Sequence, residues 1–471
     1  MDTSSVTMHT ERACCHQAQR AVAAMLDKAP SWLIWTAVLY VGLPFMLYWA
    51  VPYLFYHNKT KSRRIAIYVL GDLGHSPRIC YHARSFSAAG WEVELCGYLE
   101  EQPPKDLLDD PRVTIRALPG ASNAGKSLGQ TARKVVLQTC HIVRQLWELR
   151  GCDYILIQNP PSIPLLPIVA IFKVLTRTRL ILDWHNFAYT VLQLRVGRFL
   201  HPLVLVSYAV EFLFSRMADY HITVTAAMKD YLVQSFLLPA RRIAVMYDRP
   251  GEQFRPLPAG ERGAALAEPF IRGYIPAGFD VQRGDTILVT STSFTLDEDI
   301  NVLFGALKIY ESAAAKFDTT LPRILLFVTG KGPLKGKYME EVRNYKWERC
   351  TIHFLWLSAE DYPRLLQLCD FGVSLHTSTS GLDLPMKVLD MFGSGLPAFV
   401  MDYPAIGELV QDRVNGLRFT TRRELEQCLI FAIKDEHTRK VLKENALLES
   451  KNRWHQRWAS AMSELQVVRQ S

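Results

Sequence analysis

The sequence has no Cys-x-x-Cys pair, no Cys/His spacing suited to a metal and no complete Gly-x-Gly-x-x-Gly fingerprint. Zinc modules, thioredoxin-like redox centres and ordinary nicotinamide-dependent oxidoreductases are therefore unsupported. The nine cysteines are an odd number, and only Cys14 and Cys15 lie close together. Cys80, Cys96, Cys140, Cys152, Cys350, Cys369 and Cys428 sit mostly among apolar neighbours. Reduced thiols in a cytosol-facing protein account for that pattern. No basic helix, finger or aromatic-basic motif occurs, so nucleic acid is not an expected partner. The formal charge of +8 instead suits an anionic membrane surface or phosphorylated substrates.

Charge is also absent from residues 32–56. This run exceeds the ~20 residues that span a bilayer as a helix, and its Trp and Tyr residues gather toward its ends as in interfacial belts. No small-residue cleavage site follows, so it reads as a retained signal anchor. A buried globular helix is the alternative, but Gly42, Pro44 and Pro52 fit one poorly. Lys59, Lys61, Arg63 and Arg64 follow it. The positive-inside rule then puts the large C-terminal part in the cytosol.

With 471 residues, 49% of them hydrophobic, the chain is long enough for two domains plus appendages. Short apolar runs alternate with helix-like segments in two series. The first begins with a strand over residues 65–70, a loop, a helix from Pro77 to about Ala89, and a strand over residues 91–96. Later strands end at Gln158, Asp183 and Val224, and residues 243–247 close the series. Residues 249–284, rich in Pro, Gly and charge, form an interdomain linker. The second series places strands over residues 286–290, 324–329, 351–355, 371–376 and 397–401. Ser358 with Asp361 marks a capping-box start for a helix ending near Cys369. The fold class is α/β, two doubly wound Rossmann-like domains with an N-terminal transmembrane helix. The divisions are a tail (1–31), the anchor (32–56), a first Rossmann-like domain (57–248), the linker, a second Rossmann-like domain (285–445) and a C-terminal helical segment (446–471). Ligands of such sheets bind at the carboxyl ends of the strands, so the strand-end loops are searched for chemistry.

The richest loop is His376-Thr377-Ser378-Thr379-Ser380-Gly381-Leu382-Asp383-Leu384-Pro385-Met386-Lys387-Val388-Leu389-Asp390. It predicts a strand end, a polar loop and a helix on which Asp383, Lys387 and Asp390 share a face. A helix N-terminus with a Lys one turn in suits a diphosphate, and the acids suit sugar or ribose hydroxyls. The plainer reading is a helix start with a capping Asp and a Lys–Asp pair. Thr329-Gly330-Lys331-Gly332-Pro333 sets a cation between glycines, as a diphosphate clamp or an ordinary loop. Ser291-Thr292-Ser293-Phe294-Thr295-Leu296-Asp297-Glu298-Asp299 either caps a helix or meets base and sugar hydroxyls.

In the first series, Gly71-Asp72-Leu73-Gly74-His75-Ser76-Pro77-Arg78 allows close backbone approach to a phosphate, or is a tight turn. Asn159-Pro160-Pro161 makes a rigid corner. Asp183-Trp184-His185-Asn186 offers a His at a strand end, where a neighbouring acid raises its basicity; a structural His is the alternative. Two further apolar stretches, residues 160–174 and 200–214, read as sheet-packing helices or as membrane-docking surfaces.

Together these motifs, spread over residues 63–410, resemble the chitobiosyldiphosphodolichol beta-mannosyltransferase family. The resemblance implies a GT-B fold, its two domains facing a cleft. It implies GDP-mannose as donor and an inverting β1,4 transfer to chitobiose on dolichyl diphosphate. It implies the endoplasmic reticulum membrane as location, with the active site cytosolic. Other dolichol-pathway mannosyltransferases are expected partners. On this reading Lys331, Gly332, Ser380, Asp383, Lys387, Asp390, Asp297 and Glu298 bind the donor. Gly71, Gly74, Arg78 and Asn159 form an acceptor and phosphate loop. His185 is the first choice of base, with Asp72 and His75 as alternatives. Lysines against the leaving diphosphate remove any absolute need for metal, so no cofactor is obligate and Mg²⁺ is at most stimulatory. Six residues lie between Asp383 and Asp390, where many retaining GT-B enzymes have two Glu with seven residues between them, so roles are not copied from that group. The competing reading is a non-catalytic GT-B scaffold that recruits other transferases of the pathway.

Overall fold

A computed structural model describes residues 35–36, 39–40, 42–43, 63–119, 128–295 and 298–468. Arg63–Ala170 and Arg179–Ser471 form one compact unit, and Met1–Ser62 with Ile171–Thr178 another. Most of the anchor expected at residues 32–56 lies outside the described residues. Among those described, no helix is long and apolar enough to cross a membrane.

The large unit contains two parallel sheets. The first has strands β1 (Arg64–Asp72), β2 (Glu92–Tyr98), β3 (Val113–Ala117), β4 (Tyr154–Asn159), β5 (Arg179–Trp184), β6 (Tyr220–Thr223) and β7 (Ile243–Val245). Their spatial order is β3-β2-β1-β4-β5-β6-β7. The second has β8 (Thr286–Ser291), β9 (Ile324–Thr329), β10 (Cys350–Leu355), β11 (Phe371–Ser374), β12 (Ala398–Met401) and β13 (Gly416–Phe419), ordered β10-β9-β8-β11-β12-β13. Central strands such as β4 and β9 are apolar until their carboxyl ends, at Gln158-Asn159 and Thr329, because helices cover both faces of a parallel sheet. Strand β3 is the exception. It is an edge strand whose residues are half-exposed or exposed, so it lacks the buried apolar run of a central strand such as β9.

Strand order reverses between β1 and β4 in the first sheet and between β8 and β11 in the second. Crevices open at the carboxyl ends of the strands at such switch points. The loops after β1, β4, β8 and β11 therefore hold the positions where a ligand fits best.

The segment at residues 249–284 is more than a tether. Its Phe254 and Ile271 are buried with Leu365, Val388 and Phe392 of the second domain. The last helix, Trp454–Glu464, returns to the first domain. There Trp458 meets Phe86 edge-to-face with ring centroids 4.9 Å apart, and the Trp454 indole N–H donates to Ser85 Oγ at 2.9 Å. The expected capping box forms only in part: Asp361 N donates to Ser358 Oγ at 3.0 Å, but the Asp361 carboxylate takes the Ser358 hydroxyl at 2.9 Å rather than its backbone N–H, and the helix runs Asp361–Leu368.

Candidate active site

At the end of β1 the Asp72 carboxylate accepts from the backbone N–H groups of Glu100 (2.7 Å), Glu101 (3.1 Å) and His75 (3.2 Å). His75 Nδ1 adds a contact at 2.6 Å. Burial works against ionisation of Asp72, but the Glu101 amide and His75 outweigh it and hold the carboxyl below its ordinary value. A carboxylate so well supplied with donors is a weak base. His75 is no better placed: its other nitrogen lies 3.5 Å from Glu101, so both ring nitrogens face carboxylates. Gly74 is needed for packing, since a Cβ there would sit 2.8 Å from Glu101. The loop is thus an internally bonded turn.

Arg78 does not face a ligand. It is 3% exposed. It donates twice to Asp183 at 2.8 Å, once to Asp248 at 2.7 Å and once to Met246 O at 3.0 Å. Asn159 is also buried and donates to Glu211 Oε1 at 2.6 Å. That carboxylate in turn accepts from the Ala188 N–H at 2.8 Å, at the start of the Ala188–Val196 helix. Burial pushes Glu211 up to about 7 against its hydrogen bonds. Both side chains hold the strand-end loops in position from behind.

His185 is different. Its backbone is fixed by donation from its N–H to Asn159 O at 2.9 Å. Its Nε2 lies 3.1 Å from Asp183 Oδ2, and the side chain is 23% exposed. Burial alone would raise the Asp183 carboxyl, but the Arg78 guanidinium and His185 hold it well below the carboxylate range. An ionised Asp183 fixes the proton on Nε2 and leaves the Nδ1 lone pair without a protein partner among the described residues. Buried His82 approaches the same oxygen at 3.4 Å. The Trp458 indole N–H donates to its Nδ1 at 3.1 Å, and burial pushes the imidazole below its ordinary value. His82 therefore stays neutral and supports Asp183 without competing for its role.

The second domain meets His185 through its neighbour. Asn186 Nδ2 donates to Asp383 Oδ1 and to Thr379 Oγ1, both at 3.1 Å. The loop after β11 thereby closes on the loop after β5. Asp383 departs from the sequence expectation. The helix spans Met386–Gly393 with Pro385 as its N-cap and no side-chain cap, so Asp383 lies before it and shares no helical face with Lys387. Proline at the cap keeps the preceding residues extended. The Asp383 carboxylate accepts from Ser378 Oγ and Asn186, faces His376 Nε2 at 3.3 Å and has Ser380 Oγ at 3.4 Å. It organises the loop and the domain contact.

Lys387 and Asp390 do lie on that helix at i, i+3. Lys387 Nζ pairs with Glu298. Glu298 is buried and also accepts from Thr292 Oγ1 at 2.7 Å and Ser293 N at 2.8 Å. It is a support for Lys387 and for the loop after β8, and its oxygens are already used within the protein. Asp297 lies outside the described residues. Lys331 sits over the Trp356 ring, 3.9 Å from its centroid. A Cβ on Gly330 or Gly332 would meet Thr292 O or Ser293 O at 1.8 Å. The two glycines let the loop after β9 pass against the loop after β8 and so set Lys331 beside the donor side. Lys335, absent from the sequence-based set, donates to Gly330 O at 3.1 Å and fixes that loop. Asp390 has no hydrogen-bond or ion-pair partner among the described residues, and burial pushes its carboxyl well above the ordinary range. An unpaired acid in this position is primed to accept hydroxyl donors.

Two domain models match the chain, "Glycosyl transferase 4-like domain" over residues 74–248 and "Glycosyl transferases group 1" over residues 280–448. The chitobiosyldiphosphodolichol beta-mannosyltransferase of Kluyveromyces lactis is 56% identical over 94% of this chain and 98% of its own. The protein of that name from Homo sapiens is 33% identical over 85% and 92%. The chain belongs to the chitobiosyldiphosphodolichol beta-mannosyltransferase family. It is thus a glycosyltransferase, and solved glycosyltransferases share its fold. Anabaena HepE in complex with UDP and glucose superposes with a TM-score of 0.58 at 18% identity, covering 84% of this chain and 99% of that one. WaaG, a glycosyltransferase involved in lipopolysaccharide biosynthesis, gives 0.58 at 13%, covering 87% and 100%. These likenesses establish the GT-B fold.

In this beta-mannosyltransferase family member one domain contact escaped sequence reasoning. Glu408 accepts from the Ala226 and Ala227 N–H groups at 2.7 Å each and from Tyr247 OH at 2.8 Å. A second-domain carboxylate thus sits on the N-terminus of the first-domain helix Ala226–Gln234, where the helix dipole favours an anion. Nothing local to residues 404–410 signals it, because the partners are about 180 residues away.

Proposed function

We propose that this chain is a mannosyltransferase of N-glycan precursor assembly. It moves one mannose from GDP-mannose to chitobiose on dolichyl diphosphate, in a β1,4 linkage and with inversion. The near-full-length identity to relatives of that one name carries the reading. The site's geometry supports it, with a His–Asp pair on one sheet bonded through Asn186 to the cation-bearing loops of the other. His185 Nδ1 takes the proton of the acceptor 4-hydroxyl as that oxygen attacks the anomeric carbon. The bond from that carbon to the GDP oxygen breaks, and GDP leaves with the electron pair. Asp183 stabilises the imidazolium that forms. Lys331, Lys387 and the N-terminus of the Met386–Gly393 helix balance the charge on GDP. Asp390 receives ribose hydroxyls. The scaffold alternative gains no support from the relatives, which bear a transferase's name.

Incubating the purified protein with GDP-mannose and phytanyl-diphosphate chitobiose should add one β-linked mannose, read by mass spectrometry and a β-mannosidase digest. GDP binding without transfer would favour the scaffold. We expect Lys387→Ala to weaken GDP binding by about tenfold or more, the range of a lost charge-assisted hydrogen bond. Asp390→Asn should also lose transfer, while the unliganded protein becomes more heat-stable. A carboxyl whose folded pKa is raised destabilises the fold as pH rises past its unfolded value, and an amide does not. Unchanged GDP affinity and melting temperature in these variants would remove the assignments.

Two lysines at the diphosphate support catalysis without an obligate metal. A chelator should leave turnover within about twofold, less than the several kcal/mol a Lewis-acid metal supplies. The anchor at residues 32–56 and the basic run after it support a single-pass protein of the endoplasmic reticulum, its domains cytosolic. A C-terminal tag open to protease in intact microsomes is the expected result.

A further inference from the structure

A cavity of about 280 Å³ opens far from the cleft, lined by Arg262, Asp370, Phe371, Pro397, Arg439 and Lys443 among others. Phe371 begins β11 and Pro397 immediately precedes β12, so the cavity lies at the amino ends of strands whose carboxyl ends face the donor. Arg262 comes from the interdomain segment. It is already committed, donating to Leu368 O at 2.8 Å and to Asp370 Oδ2 at 2.8 Å. Asp370 is committed too, since it also accepts from Ile287 N at 2.9 Å.

Arg439 and Lys443 stand one turn apart on the Glu436–Glu449 helix, so they share a face. Neither side chain has a hydrogen-bond or ion-pair partner among the described residues. Burial pushes the Lys443 ammonium below its ordinary value, and Asp370 only partly opposes this. Three cations thus line a cavity with one carboxylate, and that carboxylate is spent on Arg262 and a backbone N–H. A half-buried pair of cations without a counter-charge is costly unless an anion completes it.

We infer that this cavity is a second anion site, taking a small phosphate-bearing molecule whose phosphate lies between Arg439 and Lys443. Phe371 and Pro397 offer an apolar floor for its carbon part. The volume lies at the lower edge of small-molecule pockets, too small for a second nucleotide sugar.

The test uses the full chain with GDP saturating, so that the cleft is filled. Inorganic phosphate and glycerol 3-phosphate are titrated calorimetrically. One phosphate per chain should bind. Arg439→Gln and Lys443→Gln should each weaken it about tenfold or more, with turnover and GDP affinity unchanged and the melting temperature of the phosphate-free protein equal to wild type or higher, since an uncompensated cation has been removed. Vesicles containing phosphatidate that displace the phosphate would identify a lipid headgroup as its source. Vesicles that leave it bound would identify a soluble ester. Either result supports the phosphate site. No phosphate binding in the presence of GDP, or wild-type binding in both folded variants, would overturn it. Arg439→Gln alone suffices should the lysine variant fail to fold.

Discussion

His185→Ala lowers turnover by about 10²–10⁴-fold, the usual contribution of a positioned base. GDP binding and the melting temperature stay close to wild type, because the ring is at the cleft and, among the described residues, its side-chain bond is to Asp183 alone. Added imidazole restores part of the rate. The two other candidates lack a usable lone pair. Asp72 is held by three backbone N–H groups, and His75 lies between Asp72 and Glu101. Replacing either should act on the loop more than on the chemical step. A rate for His185→Ala within tenfold of wild type would end its assignment as base.

Arg78→Ala destabilises the protein by about 3–5 kcal/mol, the cost of breaking a buried ion pair by removing one partner. It strands Asp183 and Asp248, which lie within 2.8 Å of the guanidinium in a fully buried setting. Arg78→Lys rescues little, since a single ammonium cannot span two carboxylates and a carbonyl. The pH dependence distinguishes this from simple loss of packing. In the wild type the folded Asp183 carboxyl lies below its unfolded value of about 3.9. Its stabilisation is therefore present above that pH and is lost as pH falls through the folded value. In Arg78→Ala the same carboxyl is buried without a cation, so its folded value rises above the unfolded one. The variant's deficit then grows as pH rises and narrows toward pH 5. Chemical denaturation at several pH values reads this directly, and a deficit independent of pH would refute the account.

These two residues also show how far sequence carries. His185 and Arg78 stood in two strand-end motifs of the first domain, and both looked like site residues. Only the fold separates them. Arg78 enters the first turn of a helix that lies over the sheet, so its side chain is drawn under the loops to Asp183 and Asp248. His185 follows β5 by one residue and remains at the rim. Glu298 and Asn159 were assigned to ligands for the same reason as Arg78, since a polar residue at a strand end reads alike whether it faces the cleft or supports it. Asp383 moved off the helix because Pro385 is its N-cap and the helix starts at Met386, three residues after Asp383.

The strands were legible because buried parallel strands are unbroken apolar runs, and burial on both faces demands that composition wherever the segment lies. The edge strand β3, free of that demand, was not, and neither was the four-residue edge strand β13, too short to stand out as a run. The alternation of strands with helices fixed the α/β class, and the spacing of loops fixed which segments sit at carboxyl ends. Which polar side chains face ligand was decided only in three dimensions. Hydrogen bonds such as Asn186 to Asp383 or Ala226 to Glu408 join residues nearly 200 positions apart, and their short range means that only the folded approach of the two domains creates them.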